Sequence, residues 1–193
     1  MLVWPCGDYA GGGLALHPNV AESLELFTIH DARLQRLFAY WQGKHHGDLL
    51  PGRADIDPVE MKPFLTVVYL VDVLANDQFR YRLLGTEIVN RAGRDMTGQL
   101  LSPGTHGRTF EPMRAIYREA IARKAMAFSR RARPRHADDR ALRADGLVLP
   151  LASDGRTVDM LMGGLSFGSA PAFSFDTATE PVHSFGWVVR ELG

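Results

Sequence analysis

The chain has one cysteine, Cys6, in 193 residues. A single thiol cannot build a disulfide framework within a chain, which points to a reducing, cytoplasmic compartment. No apolar run approaches the roughly 18 residues that mark a membrane span. No basic segment followed by a long apolar stretch opens the chain, so no secretory signal is expected. Instead GDYAGGGLALHPN reads as part of a flexible leader over residues 1–30. Net charge is absent too: 22 basic residues balance 22 acidic ones, so bulk charge favours neither nucleic acid nor an acidic partner. Lysine is scarce, with three against nineteen arginines. Guanidinium forks can grip carboxylates in pairs.

Several chemical signatures are also missing. There is no GxxxxGK[ST] phosphate loop. Ser102, Ser129 and Ser166 lack the surroundings of a nucleophile elbow. His45, His46 and Asp48 lie together in HHGD, but no CxxC or HxxxH pair completes a metal set, so this stretch reads as a solvated turn. No catalytic residue and no metal ligand is assigned, and no enzyme is expected.

What is present is 46% hydrophobic residues, enough for one domain with a substantial core. Asp31 can cap a helix over 32–41, in which Leu34, Leu37, Phe38 and Trp41 form one apolar stripe. In LPGRADIDPVEMKPFLTVVYLVDV, Asp57, Pro58 and Glu60 have the spacing of a capping box, and Pro63 stops the short helix it would start. LTVVYLVDVL, ANDQ and FRYRLLG then read as a hairpin. Alternation puts Tyr69, Val71 and Val73 on one face of its first strand, and Phe79, Tyr81 and Leu83 on one face of its second. Registers that join these sets place Val73 opposite Phe79 or Tyr81, and Asp72 opposite Arg80 or Arg82.

Thr86 can cap EIVNRA, which Gly93 can end. Phe110, Met113, Ile116, Tyr117, Ala120 and Ile121 mark an amphipathic helix over 110–123. Strands are expected over 125–133, 142–151 and 158–167, the last two joined by an ASDG turn. From 168 to 193 the chain reads as a Ser/Pro/Ala-rich tail whose SFGWVVREL could dock as an extra strand. The order predicts an α+β fold over 31–167, a five-stranded antiparallel sheet with helices inserted between strands two and three.

LPGRADIDP, VYLVDV, FRYRLLGT, GRDMTG and LVLPLASDG resemble the motifs of a PAS domain, in particular of a bacterial subfamily of short, mostly stand-alone PAS proteins. The likeness spans about residues 34–167. It implies sensing or protein–protein signalling, and supplies no ligand of itself. Some PAS domains form a flavin photo-adduct through a cysteine in the region matching GRDMTG, where this chain has Met96, so covalently reacting flavin is disfavoured. Some bind haem through a histidine on the helix before the third strand. Helix 110–123 has none, and His106, just ahead of it, reads as a solvated loop residue, so haem is disfavoured. No cofactor is expected; a non-covalent small ligand fits. The helix over 32–41 resembles the PAS flanking helix, which commonly mediates dimers, implying a homodimer through Leu34, Leu37, Phe38 and Trp41.

Parity and periodicity nominate the lining of an interior cavity. The hairpin offers Tyr69, Phe79 and Tyr81; the helical region offers Ile88, Met96, Met113, Ile116 and Tyr117; the later strands offer Phe128 and Leu149. If Met126 and Phe128 face that cavity, Arg130 does too. A buried guanidinium needs an anion: a ligand carboxylate or phosphate, or a protein carboxylate, unless the side chain snorkels to water. The basic run from Arg123 to Arg143 is interrupted by Asp138 and Asp139 and reads as a solvated surface, with no nucleic-acid or membrane partner expected. The whole reads as a cytoplasmic sensory or regulatory PAS module that binds a small molecule or a protein partner and signals by association. A ligand-free dimerising adaptor is the alternative. An enzyme acting on a small acid, through Arg130 with Tyr81 or Tyr117, is a third.

Overall fold

The computed structural model describes residues 14–16, 29–133, 142–167 and 184–190, with backbone alone at 14–16, 108, 130–133, 142–143 and 184–190. The Ser/Pro/Ala-rich run after Gly168, the basic loop 134–141 and most of the predicted leader lie outside the described residues. Among the described residues seven strands form one antiparallel sheet: β1 (Leu14–Leu16), β2 (Val68–Leu74), β3 (Gln78–Leu84), β4 (Met126–Arg133), β5 (Leu142–Leu151), β6 (Met160–Phe167) and β7 (Ser184–Arg190). Their order is β1-β7-β4-β5-β6-β2-β3. The five strands β2 to β6 form the α+β core, with helices α2 (Thr86–Ala92), α3 (Pro103–His106) and α4 (Phe110–Arg123) between β3 and β4. Helix α1 (Ala32–Gly43) precedes the core. Two strands extend it at the β4 edge: β7 pairs with β4, and Leu14–Leu16 of the predicted leader pairs with β7.

The hairpin's register is one of those that alternation allows. Val73 stands opposite Phe79 and Asp72 opposite Arg80. Asn76 and Asp77 turn the chain, both at φ 57°, a conformation that short polar side chains tolerate. Both Arg80 and Arg82 reach the Asp72 carboxylate, at 2.9 and 3.4 Å. A register shift between Leu70 and Val71 then breaks the alternation: Val71 pairs with Tyr81, but Leu70 pairs with Leu83. Leu83 is therefore turned from the face of Phe79 and Tyr81 and is 37% exposed.

Three predicted caps resolve differently. Asp31 caps α1, accepting from the Arg33 backbone N–H at 2.7 Å. Asp57 accepts from the Val59 N–H at 2.8 Å, but 57–63 forms turns rather than a helix, and Glu60 pairs with Lys44 at 2.6 Å instead of closing a box. Gly85, not Thr86, is the N-cap of α2. A Cβ at Gly85 would stand 2.3 Å from the Thr66 carbonyl oxygen, so only glycine fits there.

The sheet buries both faces. A Cβ built on Gly164 would meet Leu34 and Leu37, so α1 lies on the face that Gly164 shows. Leu34, Leu37, Phe38 and Trp41 are at most 1% exposed, and the Trp41 indole N–H donates to the Pro150 carbonyl at 2.9 Å. The stripe nominated as a dimer interface is thus buried inside the chain. The expected interface through these four residues is withdrawn, because their apolar surface already has a partner. On the opposite face Phe79 meets Tyr117 of α4 edge-on at 5.2 Å, and Tyr81 stacks on His106 of α3 at 5.5 Å.

Candidate functional site

The face beneath α3 and α4 is where the nominated lining converges. Alternation from Phe79 and Tyr81 carries it through Val71, Val73 and Tyr69 of β2. Cross-strand pairing extends it: Tyr69 to Gly163, Gly163 to Val148, and Val148 to Ala127. Gly146, opposite Ser129 and Leu165, shares it. The floor over β4, β5 and β6 accordingly sets small residues, Ala127, Ser129, Gly146 and Gly163, among the larger Val148 and Leu165. The same pairings put Phe128 and Leu149 with Gly164 and Met162, on the α1 face. Their nomination as interior lining is corrected. Over Met126–Ser129 both faces of β4 are buried, so alternation alone does not say which face α4 covers.

Tyr69 lies across the gap that Gly163 leaves. A Cβ there would stand 2.1 Å from the phenol ring, and the Tyr69 hydroxyl donates to the Leu147 carbonyl at 3.2 Å. Ile88 of α2 and Met96, Met113, Ile116 and Tyr117 are all buried in the same core. The α4 residues follow from its stripe of Met113, Ile116, Tyr117 and Ala120.

His106 is the residue that sequence reasoning misplaced. It is 0% exposed rather than solvated. Its Nε2 lies 2.8 Å from the Tyr81 hydroxyl, and its Nδ1 lies 2.8 Å from Thr105 Oγ1. The Thr105 hydroxyl accepts from the Ser102 N–H and has the Leu100 and Ser102 carbonyls at 3.1 and 3.0 Å to donate to. With its one hydrogen so directed, it accepts from His106 Nδ1–H, and Nε2 then accepts from the Tyr81 hydroxyl. This assigns the Nδ1–H tautomer to His106 from the network. The signal was legible: Ser102 before Pro103 is a helix start, and Ser102 and Thr105 cap one another, turning the loop into a helical turn that carries His106 inward.

Arg130 lies outside the described side chains. Its backbone stands opposite Asp145, a buried residue, on β5. In HHGD, His45 is half-buried and meets Trp41 edge-on at 4.5 Å. Burial, then the neighbouring His46, lower its pKa. His46 faces Asp55 at 3.4 Å. HHGD is therefore only partly the solvated turn expected. Among the described residues no group of three His, Cys, Asp or Glu is placed to hold a metal, and no helix is long and apolar enough to cross a membrane.

An antiparallel five-stranded core with its helices inserted between the second and third core strands, and a separate helix on the back of the sheet, is the architecture of a PAS sensory domain. The PAS-domain family profile matches residues 29–166, and the chain belongs to that family. Two solved structures are similar in part. A Rhodobacter sphaeroides LOV protein aligns at 16% identity and a TM-score of 0.41, over 54% of this chain and 60% of its own. An RNA-binding light-oxygen-voltage receptor aligns at 15% identity and 0.40, over 81% of this chain and 38% of its own. The chain thus spans less than two thirds of either. No curated protein matches it.

Proposed function

We propose that the chain is a non-enzymatic sensory module whose interior, between the sheet and helices α3 and α4, takes a small non-covalent ligand, and which passes the occupied state on by association with a protein partner. The observation that carries this is the pairing of an apolar floor, in which Ala127, Ser129, Gly146 and Gly163 are small, with a buried hydroxyl–imidazole chain, Tyr81–His106–Thr105. Apolar surroundings with a few convergent polar groups are what small-molecule sites use. Family membership supports the sensory role. The lone cysteine favours the cytoplasm, and balanced charge favours neither nucleic acid nor membrane as partner. Arg130 alternates with Phe128 on β4 and stands opposite Asp145 on β5, so its position falls on the α1 face and its nomination as an anchor for a ligand in this interior is withdrawn with that of Phe128.

A second reading, a ligand-free adaptor, is favoured by Tyr69, whose ring occupies the space over Gly163. Native and denaturing mass spectrometry of freshly purified full-length chain separates the two. A mass excess in the native spectrum that disappears on denaturation supports a ligand. A bare polypeptide mass in repeated preparations supports the adaptor.

A further inference from the structure

One charged cluster outside the interior ties three elements together. Asp31, the N-cap of α1, accepts from Arg33 twice through the guanidinium, at 2.8 and 3.2 Å, and once through its backbone N–H at 2.7 Å. The remaining guanidinium nitrogen of Arg33, Nη1, reaches Glu87 of α2 at 2.6 Å. The Ser166 hydroxyl, near the end of β6, donates to the same Asp31 carboxylate at 2.5 Å. The four side chains come from three places in the fold: Asp31 and Arg33 at the start of α1, Glu87 in α2 and Ser166 near the end of β6. Two of the contacts join elements that are far apart in sequence: Arg33 to Glu87 links α1 to α2, and Ser166 to Asp31 links β6 to the start of α1.

Their placement matters more than their energy. Helix α1 and the end of β6 are where the chain enters and leaves the core domain. Helix α2 carries Ile88, wholly buried, and leads to Met96, also buried. It packs on the segment that enters β2, with Gly85 donating to the Val68 carbonyl at 2.8 Å and lying against Thr66. A shift of α2 therefore stretches or releases the Glu87–Arg33 pair. Because Arg33 holds both carboxylates through one rigid, planar guanidinium, that shift reaches Asp31 and, through it, Ser166.

We propose that Glu87–Arg33–Asp31–Ser166 is a conformational relay that makes the position of α2 felt at both ends of the core domain, with Arg33 as its positioning residue. That the relay reports ligand occupancy rests on the interior being a ligand site; the mechanical coupling does not.

The test uses no ligand, so its failure is distinct from that of the ligand reading, which the mass measurement decides. Amide hydrogen exchange is followed in the full chain for the first turns of α1 and the last residues of β6. Ile88→Ala loosens α2. In the otherwise native chain it should speed exchange over residues 32–36 roughly fivefold or more, the low end of coupling between linked sites. In an Arg33→Met background the same substitution should add nothing at 32–36, while still speeding exchange in α2 itself. If Ile88→Ala does not fold stably, Glu87→Gln serves in its place. It cuts one leg without opening the core, and should speed exchange at 32–36 in the native background and not with Arg33→Met. Unchanged exchange at 32–36 in the native background, or an equal increase in both backgrounds, would overturn the relay.

Discussion

Gly163 and His106 show how single positions set the interior. Gly163 admits the Tyr69 ring to the floor of the sheet, and a Cβ there would also come within 2.5 Å of the Leu147 carbonyl oxygen, which cannot yield. Gly163→Ala is expected to lower stability by about 1–3 kcal/mol, the usual cost of overpacking, read as a lower urea midpoint with an unchanged denaturant slope. Asp31 offers a test through pH. Burial works to raise its pKa, but hydrogen bonds from Arg33 and Ser166 and the Arg33 charge outweigh it, and the carboxyl falls from 3.8 to about 2. A carboxyl depressed by folding contributes stability that is full above its ordinary value and is lost as pH falls toward its folded value. Asp31 should therefore stabilise the fold above about pH 4 and lose that contribution between there and about pH 2. Urea midpoints across that window should fall less steeply in Asp31→Asn than in the native chain; parallel curves would refute the assignment. His106 was hidden from composition because histidine in a Gly/Pro/Ser loop reads as solvated. Only the Ser102–Pro103 helix start hinted that the loop is a capped turn.

Among the elements, helices and strands were the most legible, because period and caps agree locally. The amphipathic stripe of α4 is readable from spacing alone, and alternation narrows the hairpin to registers that set Val73 opposite Phe79 or Tyr81, of which the first is adopted. The bulge that turns Leu83 away was not, since one extra residue inverts parity without marking the sequence. Nor could alternation say which face of β4 meets α4. Met126 and Phe128 look like lining because they are large, yet the register gives them to α1 and leaves Ala127 and Ser129 for the interior. The α1 stripe met the same limit: an apolar face demands a partner, but spacing does not say whether that partner is another chain or the chain's own sheet. Leu37→Ala should accordingly cost about 2–5 kcal/mol of folding stability, as buried leucine truncations do, while leaving the molar mass in light scattering unchanged. A loss of dimer mass without loss of monomer stability would return the stripe to an interface.

For the whole molecule, family and topology were recoverable because several short motifs agreed with one order of elements. Of the two added strands, β7 falls where SFGWVVREL was expected to dock as an extra strand; Leu14–Leu16 was not legible, since it pairs only with β7, some 170 residues away in the chain. The central claim is that the face beneath α3 and α4 is the one a ligand occupies. Methionine methyl groups report on the two sides of the sheet separately: Met113 belongs to α4, whereas Met162 lies on the α1 face beside Leu149. Methyl spectra of freshly purified chain should be compared with those of the same chain unfolded, freed of small molecules and refolded. The account predicts displaced Met113 and Met96 resonances and an unmoved Met162. Superimposable spectra at Met96 and Met113, or changes confined to Met162, would contradict it.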